Sequence, residues 1–367
     1  MARVNRAARI DDVRVHACRV PTDAEECDGT LCWSATELVI VELRAGTTTG
    51  FGYSYTQARP AATLIVEKLA ELVRGADALD LPQLWKAMNA ALRNLGRPGL
   101  GMMALAAVDI ALWDLKARLL GISLAQLFGR MRESVPVYGS GGFTNEDDAQ
   151  LRAQLGGWVD AGLRAVKLKI GSRPDDDPRR VALARETVGS DVELMVDANG
   201  AFDRYAALAI AHELAASNVC WFEEPVSSDD VDGLHWLGLR LPVGMAVAAG
   251  EYGWDCRYFR HLLENRAVGT LQADATRCGY TGFLQAAALC DSFLVPLSAH
   301  CAPALHVPVC AAVPRLRHLE YFHDHSRIEQ MLFDGLPPLR DGALWPDPDA
   351  PGHGLHLRTA EIARHGC

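Results

Sequence analysis

From Glu133 onward the chain alternates short apolar runs with longer amphipathic stretches, and this alternation limits the fold more than any other feature. The apolar runs are Val135–Ser140, Ala165–Ile170, Glu193–Asp197, Cys220–Glu223, Ala246–Glu251, Thr270–Asp274, Phe293–Leu297 and His318–Tyr321. Stretches of helical period separate them. Glu146–Ala161 carries Leu151, Leu155, Trp158 and Val159 on one stripe, and Asp176–Val188 and Asp203–Ala216 continue the series. Strands that alternate with helices form parallel sheets through right-handed crossovers. Eight strands with no order signal for an open dinucleotide-binding sheet point to closure as a (β/α)7β TIM-type barrel.

The residues before Glu133 have a different rhythm. Residues 8–56 read as β-rich. Ile10, Val13 and Val15 lead into a turn-rich segment, Pro21–Ala35, and Leu38–Leu43 and Thr48–Tyr55 flank an Ala45-Gly46 turn. Residues 61–129 read as helical, most clearly Met102–Leu120, which Gly121 ends. The expected organisation is an N-terminal α+β capping domain over 1–132, a barrel over 133–336, and a Pro-, Gly- and Asp-rich segment over 337–367 that returns to the capping domain.

Composition narrows the function classes. Among 367 residues, 49% are hydrophobic and the net charge is -10, which disfavours nucleic acid and anionic membrane surfaces as partners. No apolar run is long enough to span a bilayer, and the basic Met1–Asp12 lacks the apolar core of a signal peptide. The ten cysteines show no CxxC spacing and read as reduced thiols of a cytoplasmic protein. With nucleic acid and membrane disfavoured, a small-molecule partner and a homo-oligomer are expected.

Polar residues recur at the strand ends. In Ala165–Ile170, Val166, Leu168 and Ile170 take one face while Lys167 and Lys169 take the other. Two lysines inside a barrel are costly unless anions await them. The following strands end at Asp197 (with Asn199 just beyond), Glu223-Glu224-Pro225, Gly250-Glu251, Asp274, His300 and Glu320. From Lys169 the steps are 28, 26, 28, 23, 26 and 20 residues, each about one strand–helix unit. Singly these elements also read as a solvated edge strand, a turn or a helix start. Their shared register sets them apart, because independent surface charges do not fall at the same end of every strand.

Three converging carboxylates, Asp197, Glu223 and Glu251, repel one another unless a divalent cation relieves them, and an all-oxygen set suits Mg²⁺ better than Zn²⁺. Lys169 would then face a cation and Lys167, both of which lower its pKa toward that of a base. Asp274 and His300 form a second candidate base, with the carboxylate fixing the imidazole tautomer. These bases stand on strands two and seven, on either side of the metal cluster. Glu320, if protonated, would donate to a substrate oxygen, and with Lys167 and the metal would stabilise the dianion left when an α-proton leaves a carboxylate.

The combination Lys167-Leu-Lys169, Asp197-Ala-Asn199, Glu223-Glu224-Pro225, Gly250-Glu251, Asp274 with Arg277, His300 and Glu320 resembles the mandelate racemase subgroup of the enolase superfamily. The resemblance spans nearly the whole chain, since Ala107-Val-Asp-Ile-Ala-Leu-Trp-Asp114 is similar to the capping domain. It implies one Mg²⁺ per active site on Asp197, Glu223 and Glu251, with Lys169 and the His300–Asp274 pair as bases. Asn199 would touch a substrate hydroxyl and Ser140 its carboxylate. Gly279-Tyr280 departs from the paired glycines usual there; Tyr280 either narrows the mouth or packs on the following helix. By the same resemblance, Pro21–Ala35 carries substrate choice. Its Asp23, Glu25, Glu26, Asp28 and Trp33, with no basic residue, disfavour a second substrate carboxylate and favour aldonic acids, unless the loop is simply solvated.

The expected reaction is dehydration of a monocarboxylic acid sugar, with racemisation, epimerisation or cycloisomerisation through the same enolate as alternatives. A zinc hydrolase on the same barrel is a rival, since His323-Asp324-His325 has zinc-binding spacing. That pair follows the eighth strand, whereas barrel hydrolases of this kind carry it on the first. A catalytically silent binding protein is the third reading, opposed by the presence of both bases and all three ligands. The glycines of Gly139–Gly142 are wrongly framed for a dinucleotide site.

Overall fold

The computed structural model describes residues 8–367; residues 1–7, the start of the basic Met1–Asp12 stretch, lie outside the described residues. The first sheet is antiparallel, built of β1 (Asp12–Cys27), β2 (Cys32–Ala45) and β3 (Thr48–Tyr55). Alternation along β2 sends Leu38 and Ile40 into the main core and Val39, Val41 and Leu43 into a second core shared with the helices that follow.

Pro21–Ala35 is not the turn-rich segment expected from its composition. It forms the two arms of a hairpin, paired Pro21↔Ala35, Glu26↔Trp33 and Cys27↔Cys32, around the short tip Asp28–Leu31. The same register corrects the cysteine reading. Cys27 and Cys32 face each other with Cα atoms 4.1 Å apart and are joined as a disulfide, while the other eight are free thiols. Only the hairpin register brings this pair together, so spacing gave no sign of it.

The helices of the first unit are α1 (Ala58–Leu64), α2 (Ala70–Val73), α3 (Leu81–Ala91), α4 (Leu100–Leu120) and α5 (Leu124–Phe128). Gly121, at φ 69°, ends α4 in the left-handed conformation that an L side chain disfavours. Helix α4 is buried on nearly every side because it lies between the first sheet and the barrel.

Eight parallel strands follow: β4 (Val135–Gly141), β5 (Ala165–Lys169), β6 (Glu193–Asp197), β7 (Val219–Glu223), β8 (Ala246–Ala249), β9 (Thr270–Ala273), β10 (Leu297–Ala299) and β11 (Leu316–Phe322). Each pairs with the next, and β11 pairs with β4 to close the barrel. The seven connecting helices are α6 (Asp148–Asp160), α7 (Asp177–Val188), α8 (Arg204–Leu214), α9 (Val231–Gly238), α10 (Cys256–Glu264), α11 (Ala275–Phe293) and α12 (Pro303–Cys310). The seventh strand begins later than Phe293, because α11 runs through that residue and ends on Leu294 at φ 61°. Val166, Leu168, Leu194 and Val196 face the helices, while Met195, Trp221 and Tyr138 fill the barrel floor.

After β11 come α13 (His323–Leu332), the two-residue strands β12 (Phe333–Asp334), β13 (Leu339–Arg340), β14 (Ala343–Leu344) and β15 (His356–Leu357), and α14 (Thr359–Arg364). This tail pairs with β4 through β14, and its last residues bond the outer edge of β1 through Arg19 N to His365 O and Cys367 N to Ala17 O. Among the described residues, no helix is long and apolar enough to cross a membrane.

Candidate active site

Strand register assembles the site. Lys169 pairs with Asp197, and Asp197 with Glu223, so alternation points all three into the barrel above the layer of Lys167, Met195 and Trp221. Backbone strain gathers at this mouth. Of eight non-glycine residues with positive φ among the described residues, four (Asn199, Glu224, Cys301 and Ala302) follow strand ends carrying candidate groups.

One carboxylate oxygen each from Asp197, Glu223 and Glu251 lie within 4.8 Å of one another, all three residues buried. Burial and the neighbouring Asp197 push the Glu223 carboxyl up to about 8. Glu251 Oε2 lies 3.2 Å from His300 Nε2 without hydrogen-bond geometry and is otherwise unpartnered. Crowded, ionisable oxygens with a buried unpartnered atom fit a hard divalent cation, which would relieve both the repulsion and the missing partner.

Both lysines meet the carboxylates that two buried ammonium groups require. Lys169 Nζ is 2.5 Å from Asp197 Oδ2. Burial disfavours its charge, but the carboxylates of Asp197, Glu223 and Glu320 together outweigh burial and Lys167 and raise its pKa; the lowering expected of a base requires a cation to offset those carboxylates. Lys167 Nζ donates to both Glu223 oxygens at 2.8 Å and lies 2.8 Å from Glu320 Oε1. Glu320 is accordingly held ionised: burial favours its neutral form, but Lys167 and His300 overcome it. Its Oε2 accepts from Cys301 N at 2.9 Å. The expectation of a protonated, donating Glu320 gives way to an ion-paired carboxylate.

His300 Nδ1 lies 3.0 Å from Asp274 Oδ2, so Nδ1 carries the proton and Nε2 is left toward the cavity. Burial opposes charge on the ring, yet Glu251, Glu320 and Asp274 together raise it to about 9. Asp274 is fixed in turn, its Oδ1 accepting from Thr276 N at the start of α11.

Lys169, Asn199, Glu251, Asp274, His300 and Glu320 line one cavity of about 220 Å³. Asp197, Glu223 and Lys167 lie beneath it, with no exposed surface. Ser140 does not line the cavity; it pairs with Lys167 in the layer beneath, its Oγ fully buried and unpartnered. From the hairpin Asp28 and Trp33 line the cavity, whereas Asp23, Glu25 and Glu26 line a separate cleft. Tyr280 lies outside it, donating to Leu305 O at 2.7 Å and packing edge-on against Phe128. Its neighbour Gly279 takes φ 71°, where a Cβ would meet Asp109 Oδ2 at 2.4 Å.

Several lining residues were not among the expected active-site groups, and His325 was noted only for its spacing from His323. Cys301 Sγ lies 3.3 Å from His300 Nε2, Tyr55 comes from β3, Tyr252 follows Glu251, and His325 stacks on Tyr55. Strand-end periodicity predicts none of these, because they arrive from loops, from the other sheet and, for His325, from α13.

Residues 150–361 match the enolase C-terminal domain-like family model, and residues 29–129 match the mandelate racemase/muconate lactonizing enzyme N-terminal domain. A mandelate racemase/muconate lactonizing enzyme-like protein from Rubrobacter xylanophilus superposes with a TM-score of 0.95 at 49% identity, covering 98% of this chain and 100% of that one. A racemase from Streptomyces coelicolor A3(2) with bound magnesium gives a TM-score of 0.92 at 30% identity, covering 98% and 100%. The L-talarate/galactarate dehydratase of Salmonella typhimurium is 31% identical over 89% of this chain and 81% of its own length.

Proposed function

This chain belongs to the mandelate racemase/muconate lactonizing enzyme family of the enolase superfamily, and from that premise we propose that it dehydrates a monocarboxylic acid sugar, using one Mg²⁺ on Asp197, Glu223 and Glu251. The observation that carries the reading is that Lys169 and the Asp274-held His300 line one cavity with Glu251. When bound, the cation supplies Lewis-acid stabilisation of the charge that gathers on the substrate carboxylate as the α-proton leaves.

The chain's own residues do the rest. Lys169, on the second barrel strand, and His300, after the seventh, stand on either side of the strands that carry the ligands. One removes the α-proton. His300 Nε2, with its ring orientation set by Asp274, then delivers a proton to the β-hydroxyl. The α C–H and β C–O bonds break, water leaves, and the resulting enol tautomerises to a 2-keto-3-deoxy acid. Lys167, held between Glu223 and Glu320, offsets the negative charge that accumulates below the cavity. Asn199 and Asp28 present an amide and a carboxylate to the same space, which suits a hydroxylated chain.

Racemisation is the second reading, because it uses the same two bases without a leaving group. A panel of aldonic acids incubated with Mg²⁺ and analysed by NMR separates them. A 2-keto-3-deoxy product is expected; stereo-inverted substrate with no loss of water, on an acid that turns over well, would reject dehydration.

A further inference from the structure

The two imidazoles of His323-Asp324-His325 part company in the fold. His325 is drawn inward, its ring stacked on Tyr55 at 3.5 Å, and lines the active-site cavity. His323, at the start of α13, lines a separate cleft of about 700 Å³ between the capping hairpin and α6. The rival zinc-hydrolase arrangement, which needs both rings on one ion, is therefore not formed. The chemistry proposed for the barrel mouth leaves this cleft unused.

Two carboxylates from the hairpin meet His323 there. One donor atom each from Asp23, Glu26 and His323 lie within 4.8 Å of one another, with His323 Nε2 2.9 Å from Asp23 Oδ2. We propose that Asp23, Glu26 and His323 form a second divalent-cation site, separate from the barrel carboxylates, which takes a borderline ion such as Zn²⁺ and ties the capping hairpin to the end of the eighth strand.

Glu26 points most clearly to a ligand. It is 1% exposed; its Oε2 accepts from Trp33 Nε1 at 2.9 Å, while its Oε1 has no partner. A buried carboxylate oxygen without a partner costs free energy that a cation would recover. Burial, and then the charge of nearby Asp324, push the Glu26 carboxyl up to about 8. Asp324 is not itself available as a ligand, because Thr36 Oγ1 and Arg327 occupy its two oxygens. The guanidinium of Arg327 is likewise engaged, by Asp324 and Pro21 O. One imidazole nitrogen with two carboxylates suits Zn²⁺, water completing the shell on the open Asp23 side, and offers too few oxygens for Ca²⁺. Since Glu26 also holds Trp33, and Trp33 lines the active-site cavity, an ion here would set one wall of the mouth.

The test is calorimetric titration of metal-stripped full-length protein with Zn²⁺. Asp23→Asn and His323→Gln are suitable variants because both side chains are partly exposed, 51% and 30%, and neither substitution empties a core position. Wild type is expected to bind two equivalents. Each of these variants should lose one of them, or bind it at least about 10-fold more weakly. Glu223→Gln should retain the equivalent that they lose. Two equivalents of unchanged affinity in both hairpin-site variants would overturn the proposal. So would one equivalent in the wild type that Glu223→Gln abolishes, or none at all.

Discussion

Asp274 does two jobs at once, and a single atom exchange separates them. Its Oδ2 holds His300 Nδ1–H, and its Oδ1 caps α11 through Thr276 N. His306 completes the surroundings as a neutral ring, Nε2 accepting from Ala275 N and Nδ1 donating to Ala302 O. In Asp274→Asn the cap survives, because the amide oxygen still accepts from Thr276, but the carboxylate that fixes the His300 tautomer is gone. Turnover is expected to fall by about 10²- to 10⁴-fold with Mg²⁺ affinity nearly unchanged. Steady-state kinetics beside Mg²⁺ titration would check this; an equal loss of Mg²⁺ binding would place Asp274 with the ligands instead. At this scale the sequence was most informative where period two met a repeated unit, since Lys169, Asp197 and Glu223 occupy adjacent register positions. It was silent on charge balance. The Lys169–Asp197 contact and the two-sided pairing of Lys167 depend on side-chain reach across the barrel, which spacing does not encode.

Among the elements, the capping hairpin comes closest to the chemistry and was the least legible. Pro21, Asp28 and Gly29 are turn formers by composition, yet beyond a bulge at residues 22–25 β1 and β2 pair again at Glu26↔Trp33 and Cys27↔Cys32 before the tip turns. That tip rests on the barrel. A Cβ on Gly29 would lie 2.2 Å from Ala198 O and 2.6 Å from Ile170 O, both backbone atoms beside the candidate ligands and base. Gly29→Ala is therefore expected to lift the tip, raising KM or lowering kcat/KM by about 10- to 100-fold, with little change in Tm because the tip is not part of the core. Unaltered kinetics with a folded protein would show that the tip does not shape the cavity. Helix α4 was legible as a helix, but its polar residues were not legible as fasteners. Asp109 accepts from Thr281 N and Oγ1 on α11, and Trp113 Nε1 donates to the same Oγ1, so the Asp-Ile-Ala-Leu-Trp motif joins the cap to the barrel. The late start of the seventh strand was not legible either. Phe293 and Val295 favour strand locally, but α11 continues through the exposed Phe293 and stops only where Leu294 turns left-handed.

Across the whole molecule, the C-terminal tail ties the two sheets together around His353. Leu355 N donates to its Nδ1 and its Nε2 donates to Phe51 O, so the buried ring is required neutral. Burial lowers its pKa to about 4, against the influence of Asp114. A folded pKa below the unfolded value of about 6.5 gives stability that is present above about 6.5 and lost as pH falls toward 4. The stability gap between wild type and His353→Gln should accordingly narrow between pH 7 and pH 4, by up to about 3 kcal/mol, in denaturant melts; a gap independent of pH would remove His353 from that role. The barrel and the antiparallel first sheet were readable from periodicity and the tail's return to the capping domain was expected, whereas the residues through which the tail docks and the disulfide arise from contacts between residues far apart or opposed only by register. The claim on which the rest depends is that one cavity offers two bases to one α-carbon. Following the α-hydrogen of acid sugars by ¹H NMR in D₂O with Mg²⁺ tests it most directly. Wild type should surrender that hydrogen to solvent, and Lys169→Ala and His300→Asn should each spare it in substrates of one α-configuration while still removing it from the other. Turnover that leaves the α-hydrogen in place, or two variants that both strip it from both configurations as wild type does, would contradict the two-base site.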